Sequence, residues 1–345
     1  MKSLTKASGL GLAAVLAFGS GCLFAAPRYH GPVSDHFDGD RFHNDVPRPR
    51  AGGLFRWLFE RQPGPWAEPV DGPYGAKPVE RVDRGRMRVT WVNHATVLLQ
   101  MDGLNILTDP IWSERCSPIS FIGPRRHHSP GIRFEDLPPI DVVVISHDHY
   151  DHMDLPTLKR LHAAFHPLVL VGLGNAKLLR RAGISGAVEL DWWQSIGLPG
   201  GVRAVSVPAQ HFSNRSLSDP NVTLWTGFAF QGPSGTAFFA GDTGFGGHFA
   251  QIAARLGPIR LAMLPIGAFR PEWVMSTVHM SPADAVRAHR ALGAGTSVAI
   301  HFGTFPLGDD GETEPVERLH AALDSDAVPR DRFWALGFGE GRDVP

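Results

Sequence analysis

The sequence predicts an α/β fold in which two mixed β-sheets lie face to face with helices outside. Three observations carry that expectation. Short apolar runs of strand length alternate with helical stretches in both halves of the chain from residue 87 onward. Several of these runs end in residues able to ligate a metal: Asp109, the cluster 147–152, His211, Asp242 and His301. Polar side chains at successive strand ends converge on one rim of a sheet structure, which marks an active site. Finally, 345 residues with 43% hydrophobic and 19% charged content supply a sizeable core.

Residues 1–26 read as a signal peptide. Lys2 and Lys6 precede the apolar run 10–18, which is too short for a permanent membrane span, and small residues surround Cys22. Gly19-Ser20-Gly21-Cys22 resembles a bacterial lipoprotein box, with Gly where that box prefers Leu; cleavage near Ala25 or Ala26 is the alternative. The mature protein is therefore expected to be exported, to the periplasm or as a membrane-anchored lipoprotein of the cell envelope. Cys116 is then at most one remaining thiol, so no internal disulfide is expected and its role is packing. Residues 27–80, rich in Pro, Gly, Arg and His, form either an extended arm that docks Trp57 on the main body or a linker. Residues 81–345 form the catalytic domain.

Runs 88–92, 96–100 and 105–108 are expected strands, the last two joined through Asp102-Gly103, a hairpin signal. Asp109-Pro110 ends them, and 111–137 is a long irregular loop carrying Arg125-Arg126. The run 141–146 reads as a buried strand, because its β-branched residues continue without polar alternation. It opens directly into His147-Asp148-His149-Tyr150-Asp151-His152. His147 and His149, two apart on nearly extended chain, point to one side, while Asp151 and His152 on the following turn reach a second point. Imidazole and carboxylate without thiolate suit zinc or a similar first-row divalent ion, and one such cluster can serve two metals.

Asp154 is the expected N-cap of a helix to about 164, with Pro156 in its first turn. A β-α unit follows at 168–171 and 175–182, then a strand at 202–207 that leads to His211. A hairpin, 225–230 with 236–240, leads to Asp242, and 261–265 is a further strand. Ser281-Pro282 with Asp284 begins a helix to about 292, strand 297–300 leads to His301, and a helix at 315–323 and a strand at 332–336 close the chain.

These motifs, from 87 to 334, resemble the metallo-β-lactamase superfamily, and within it the N-acyl-phosphatidylethanolamine-hydrolysing phospholipase D group and its bacterial envelope relatives. The residues that carry the resemblance include Asn93-His94-Ala95-Thr96, Thr108-Asp109-Pro110, Gly123-Pro124-Arg125-Arg126 and the 147–152 cluster with Asp154. They continue through Leu190-Asp191-Trp192-Trp193, Gln210-His211 with Leu224-Trp225, Gly241-Asp242-Thr243-Gly244, His279-Met280-Ser281-Pro282 and 301–305. The resemblance implies an αββα metallo-β-lactamase sandwich with two zinc ions per chain, manganese or iron being the alternatives. It assigns one metal to His147, His149 and His211 and the other to Asp151, His152 and His301. Asp242 bridges them and Asp109 orients a ligand histidine. His279 matches the position that faces the substrate phosphate, and a lone His before a capped helix is otherwise unexplained. Arg125, Arg126 and Trp193 are candidates for substrate contact, weighed against solvation for the arginines and buried packing for the tryptophan.

The expected function is that of a dinuclear zinc hydrolase, a phosphodiesterase of phospholipase D type acting on N-acyl-phosphatidylethanolamine or related phospholipids. Water activated between the metals would be the nucleophile, and catalysis would rest on Asp151, Asp242 and His279. A membrane surface is the expected partner, through a lipid anchor or the substrate. A lactone or amide hydrolase using the same site is the alternative, and a non-catalytic zinc-binding envelope protein a third reading. The net charge of -1 gives no basic footprint for nucleic acid.

Overall fold

The computed structural model describes residues 25–46 and 52–345, so the stretch 1–24 with Cys22, on which the signal-peptide expectation rests, lies outside the described residues. In chain order the described elements begin with helix α1 (Gly52–Glu60), strands β1 (Met87–Asn93), β2 (Thr96–Met101), β3 (Leu104–Thr108) and β4 (Val142–Ile145), and helix α2 (Leu155–Phe165). Then come β5 (Leu168–Gly172), α3 (Ala176–Arg181), β6 (Val188–Leu190), β7 (Ser195–Gly197), β8 (Arg203–Val207), β9 (Gly227–Gly232), β10 (Gly235–Phe239) and α4 (His248–Leu256). The chain finishes with β11 (Ile259–Pro265), α5 (Glu272–Met275), α6 (Pro282–Leu292), β12 (Thr296–Ile300), α7 (Glu314–Ser325), β13 (Phe333–Trp334) and β14 (Gly341–Asp343). No described helix is long and apolar enough to cross a membrane.

The strands form two seven-stranded sheets, ordered β14-β1-β2-β3-β4-β5-β6 and β13-β12-β11-β10-β9-β8-β7. Both are mixed: β3, β4, β5 and β6 run parallel in the first, and β10 to β13 run parallel in the second. Because side chains alternate across a strand, each sheet buries two sets. Val89, Val97, Ile106, Val142 and Val144 of the first sheet meet Phe228, Phe230, Phe239, Met263 and Ile300 of the second in one core between the sheets. The alternate residues face outward and are covered by helices: Val143, Ile145 and Val171 by Leu158, Leu161 and Leu179, and Phe238, Ala262 and Leu264 by Phe249, Val286 and Leu319. This is the αββα sandwich, and it explains why β4 lacks polar alternation, since it is buried on both faces.

The local signals were uneven. Ser281 caps α6 through a complete capping box with Asp284, as its sequence predicts. Asp154 has the extended backbone of a cap, but its carboxylate accepts from the Ser113 amide, the Ser113 hydroxyl and the Thr157 hydroxyl, so it ties the 111–137 loop to α2 rather than capping helix amides. Helices α1, α4 and α5 and strands β6, β7 and β14 are additions to the expected elements.

The segment before β1 lies against the body over much of its length. Phe37 and Phe42 are buried with Ala209, Leu224 and Trp225, and Trp57 is buried at α1. Arg61 pairs with Asp309 at 3.0 Å, and the Trp66 indole donates to the Asp310 carbonyl.

Candidate metal centre

At the ends of β3 and β4 the chain must leave the sheet, and Asp109 and residues 146–152 occupy that exit. Asp109, fully buried, accepts from the Ser146 amide at 2.7 Å, the Ser146 hydroxyl at 2.6 Å and His152 Nδ1 at 2.6 Å. The Ser146 hydroxyl donates to Asp109, which leaves its oxygen to accept from His147 Nδ1 at 2.8 Å. One carboxylate therefore sets the tautomer of two histidines and turns their Nε2 lone pairs inward. His149 and His211 are set in the same way: His149 Nε2 donates to Asn214 Oδ1 at 2.8 Å, and His211 Nδ1 to the Val278 carbonyl at 2.9 Å.

The inward nitrogens meet. His149 Nδ1 lies 2.7 Å from His147 Nε2 and 3.4 Å from His211 Nε2, which gathers His147, His149 and His211 around one point. A second group comprises Asp151, His152, His301 and His94. Here Asp151 Oδ2 is 2.9 Å from His94 Nε2, 3.1 Å from His152 Nε2 and 3.5 Å from His301 Nε2. Asp242, at the end of β10, stands between the groups, with Oδ2 3.2 Å from His152, 3.1 Å from His301 and 3.8 Å from His211. His279 Nδ1 is 3.8 Å from the same oxygen.

The donor set around Asp242 fits a divalent cation on an observation of its own. His152 Nε2, His301 Nε2 and Asp242 Oδ1 are buried and make no hydrogen bond. Buried polar atoms without partners are costly, and several pointing at a common space mark a ligand they are shaped to hold. Their charges agree. Burial depresses His147 and His211 well below the usual histidine range and His149 to about 4, so all three are neutral and able to ligate. At His152 and His301 burial also opposes charge, but Asp242 and Asp151 outweigh it, lifting His152 well up and His301 to about 9. Burial would neutralise Asp151 and Asp242, yet the His152 charge keeps both well below the normal carboxylate range. Protons on His152 and His301 thus stand where cations would balance the carboxylates.

Asp109, His147, His149, Asp151, His152, His211, Asp242 and His301 come together as their strand-end positions predict, and His279, which precedes α6, joins them. Arg125, Arg126 and Trp193 do not join them. Arg125 is exposed and paired with Glu114 at 2.6 Å. Arg126 is buried, and its guanidinium donates to the carbonyls of Ser113, His128 and Ile111 and lies over the Phe305 ring. A buried guanidinium must find acceptors, and the long 111–137 loop offers free carbonyls, so Arg126 closes that loop. Trp193 packs on the outer core of the second sheet with the Arg255 guanidinium 4.1 Å from its ring centre.

The sequence reading gives no site role to His94, quoted only within the resemblance, or to Asn214 and Asn44. His94 follows β1 with φ 44° and carries a detectable signal, since it too is a ligand-type residue at a strand end on the same rim. The two asparagines, which brace His149 and His211, carry none.

A two-sheet sandwich with such a buried histidine and carboxylate cluster at its strand ends defines a metal-dependent hydrolase. Residues 104–302 match the model of the beta-lactamase superfamily domain, and the chain belongs to that family. It is 40% identical to N-acyl-phosphatidylethanolamine-hydrolyzing phospholipase D 1 of Caenorhabditis elegans over 73% of this chain and 74% of that one. An uncharacterized protein of Mycobacterium tuberculosis is 46% identical over 74% of this chain and 69% of its own. Among solved structures, an isothiocyanate hydrolase from Delia radicum gut bacteria superposes with a TM-score of 0.58 at 21% identity, covering 74% of this chain and 98% of that one. A metallo hydrolase of Ignicoccus hospitalis gives 0.55 at 21% identity, over 75% and 99%.

Proposed function

We propose that the protein is a phosphodiesterase of phospholipase D type that acts on N-acyl-phosphatidylethanolamine or related phospholipids. Two divalent cations, zinc the first candidate, would be held by His147, His149 and His211 and by Asp151, His152 and His301, with Asp242 shared. When bound, they supply Lewis acidity toward a phosphoryl oxygen and lower the pKa of water. Asp109 keeps His147 and His152 in the ligating tautomer, and the buried surroundings exclude bulk water from their lone pairs.

The observation that carries the substrate class is His279. Its ring is mostly buried and faces Asp242, no hydrogen bond satisfies Nδ1, and burial lowers its pKa to about 4. A neutral imidazole with an uncommitted nitrogen at the edge of the cluster suits a hydrogen bond to a second charge-bearing oxygen beside the one the metals meet, and a phosphodiester has two non-bridging oxygens where a lactone has one carbonyl oxygen. The likeness to the nematode phospholipase D supports the same substrate. The amino-terminal reading would put the enzyme in the periplasm or on the envelope membrane, and loss of membrane retention in Cys22→Ala tests the lipid-anchored form of that reading.

The function is tested with purified protein, by elemental analysis followed by turnover on N-acyl-phosphatidylethanolamine and bis-p-nitrophenyl phosphate against lactones and β-lactams. Phosphatidic acid as product with two metals per chain is the expected outcome. Fast lactone hydrolysis without phosphodiester turnover would replace this reading with the carbonyl one.

A further inference from the structure

His211 lies past the end of β8, where no strand pairs with it, yet it is one of three histidines that converge on a single point. Its backbone is instead held by one side chain from the amino-terminal arm. The His211 amide donates to Asn44 Oδ1 at 3.1 Å, and Asn44 Nδ2 donates to the His211 carbonyl at 2.7 Å. The Trp225 indole donates to the same Asn44 oxygen at 3.0 Å. Two donors facing Oδ1 fix which way the amide is turned, because a flipped amide would set its NH₂ against both. Asn44 thus supplies His211 with the two backbone bonds that a neighbouring strand would otherwise give.

The arm itself is fastened on both sides of Asn44. Upstream, Phe37 and Phe42 are buried against Ala209, Leu224 and Trp225, and the Phe42 amide donates to the Asn221 carbonyl at 2.8 Å. His36 pairs with Asp191 at 2.7 Å and stacks on Trp192 at 4.3 Å. Downstream, Gln210 Nε2 donates to the Val46 carbonyl at 3.0 Å. Asn44 is therefore anchored independently of the histidine it holds. A metal-ligating imidazole must be kept within about 0.5 Å of its working place, and a loop histidine reaches that tolerance only through such supports.

We propose that Asn44 is a positioning residue for His211, making the arm a structural part of the first metal group rather than a linker to it. This rests on the metal-binding reading above. The arm then acts on one metal of the two: the bonds reach His211 and none of Asp151, His152 or His301.

The test is stepwise metal binding by the full mature chain, with Zn²⁺ or Co²⁺ alone in competition with a chelator, and the visible bands of bound Co²⁺ as a coordination signature. In Asn44→Ala one of the two binding steps should weaken by about 10–100-fold, the range seen when a partner of a metal ligand is removed, while the other step is unchanged. Asn44→Asp keeps the acceptor for His211 and Trp225 but loses the donor, so it should recover part of the loss, and it decides the matter if the alanine variant does not fold. Arg203→Gln, at the exposed start of β8 and paired with Gln231, touches neither the arm nor His211 and should leave both steps as in wild type. Wild-type affinities in both Asn44 variants would overturn the proposal, as would the same selective loss in Arg203→Gln. A wild-type chain that binds no metal would overturn the metal reading together with it.

Discussion

The two sheets contribute to the metal centre in different ways. The first supplies His147, His149, Asp151 and His152 from six consecutive residues behind a strand buried on both faces, and braces two of them through Asp109 at the end of the adjacent strand. The second supplies His211, Asp242 and His301 one at a time, from three separate strand ends. What braces them lies far away in sequence: Asn44 and the Val278 carbonyl at His211, and the His94 carbonyl, which accepts from the His301 amide at 2.8 Å. A contiguous cluster inherits its geometry from one rigid strand. A dispersed one needs a separate support for each ligand, so its failures should be local while those of the contiguous half should spread.

Asp242 is the exception that should break the comparison most severely, because its carboxylate lies within ion-pair distance of both groups. Asp242→Asn is expected to lose metal from both groups together and to reduce turnover well beyond the about 10–100-fold typical of residues that only support a ligand. Elemental analysis of the folded variant showing two metals and normal turnover would remove the bridging role.

His279 comes next and separates chemistry from metal binding. His279→Ala should lower kcat on a phosphodiester by about 10²-fold, the size of one positioned donor, with metal content unchanged. His279→Gln should recover part of this if the role is a hydrogen bond, and none if it is proton delivery. Parallel metal analysis and kcat measurements on both variants provide the check.

Asp109→Asn sharpens the contrast between the halves. Asp109 holds His152 directly and His147 through Ser146, one in each group, so both binding steps should weaken, each by about 10–100-fold. Isothermal titration with Zn²⁺ distinguishes this spread from the single-step loss expected at Asn44. An effect confined to one step would mean that the contiguous half is no more cooperative than the dispersed one.

The smallest effect concerns the arm and pH. Burial of His36 works against its charge, but hydrogen bonds to Asp191 and Asp35 outweigh it, and its pKa is raised. The stabilisation this gives is complete below the unfolded value of about 6.5 and is lost as pH rises through the higher folded value. The arm should therefore grip more firmly in mild acid than in base, and His36→Gln should remove the difference. Limited proteolysis of the arm on either side of neutrality reads it directly; equal cleavage of wild type and variant at every pH would show that the apolar contacts of Phe37 and Phe42 hold the arm alone.

The sequence by itself determined the sandwich and where the histidine and carboxylate side chains of the candidate centre emerge, because both depend on short-range pattern. Alternation along a strand decides which side chains enter a core, and a strand end decides where a polar side chain can emerge, so Asp109, His211, Asp242 and His301 were visible one at a time. The same logic extends to His94, whose strand end had the same signal. Only the tertiary structure decided what holds those ligands in place. Asn44 and His211 are separated by 167 positions, and Asn214 and His149 by 65. An asparagine in a loop has no residue type or spacing that distinguishes a brace from a solvated turn. Arg126, weighed between substrate contact and solvation, is enclosed by carbonyls for the same reason: a guanidinium suits a phosphate and a cluster of backbone carbonyls equally well, and which it meets is settled by the fold of the 111–137 loop around it.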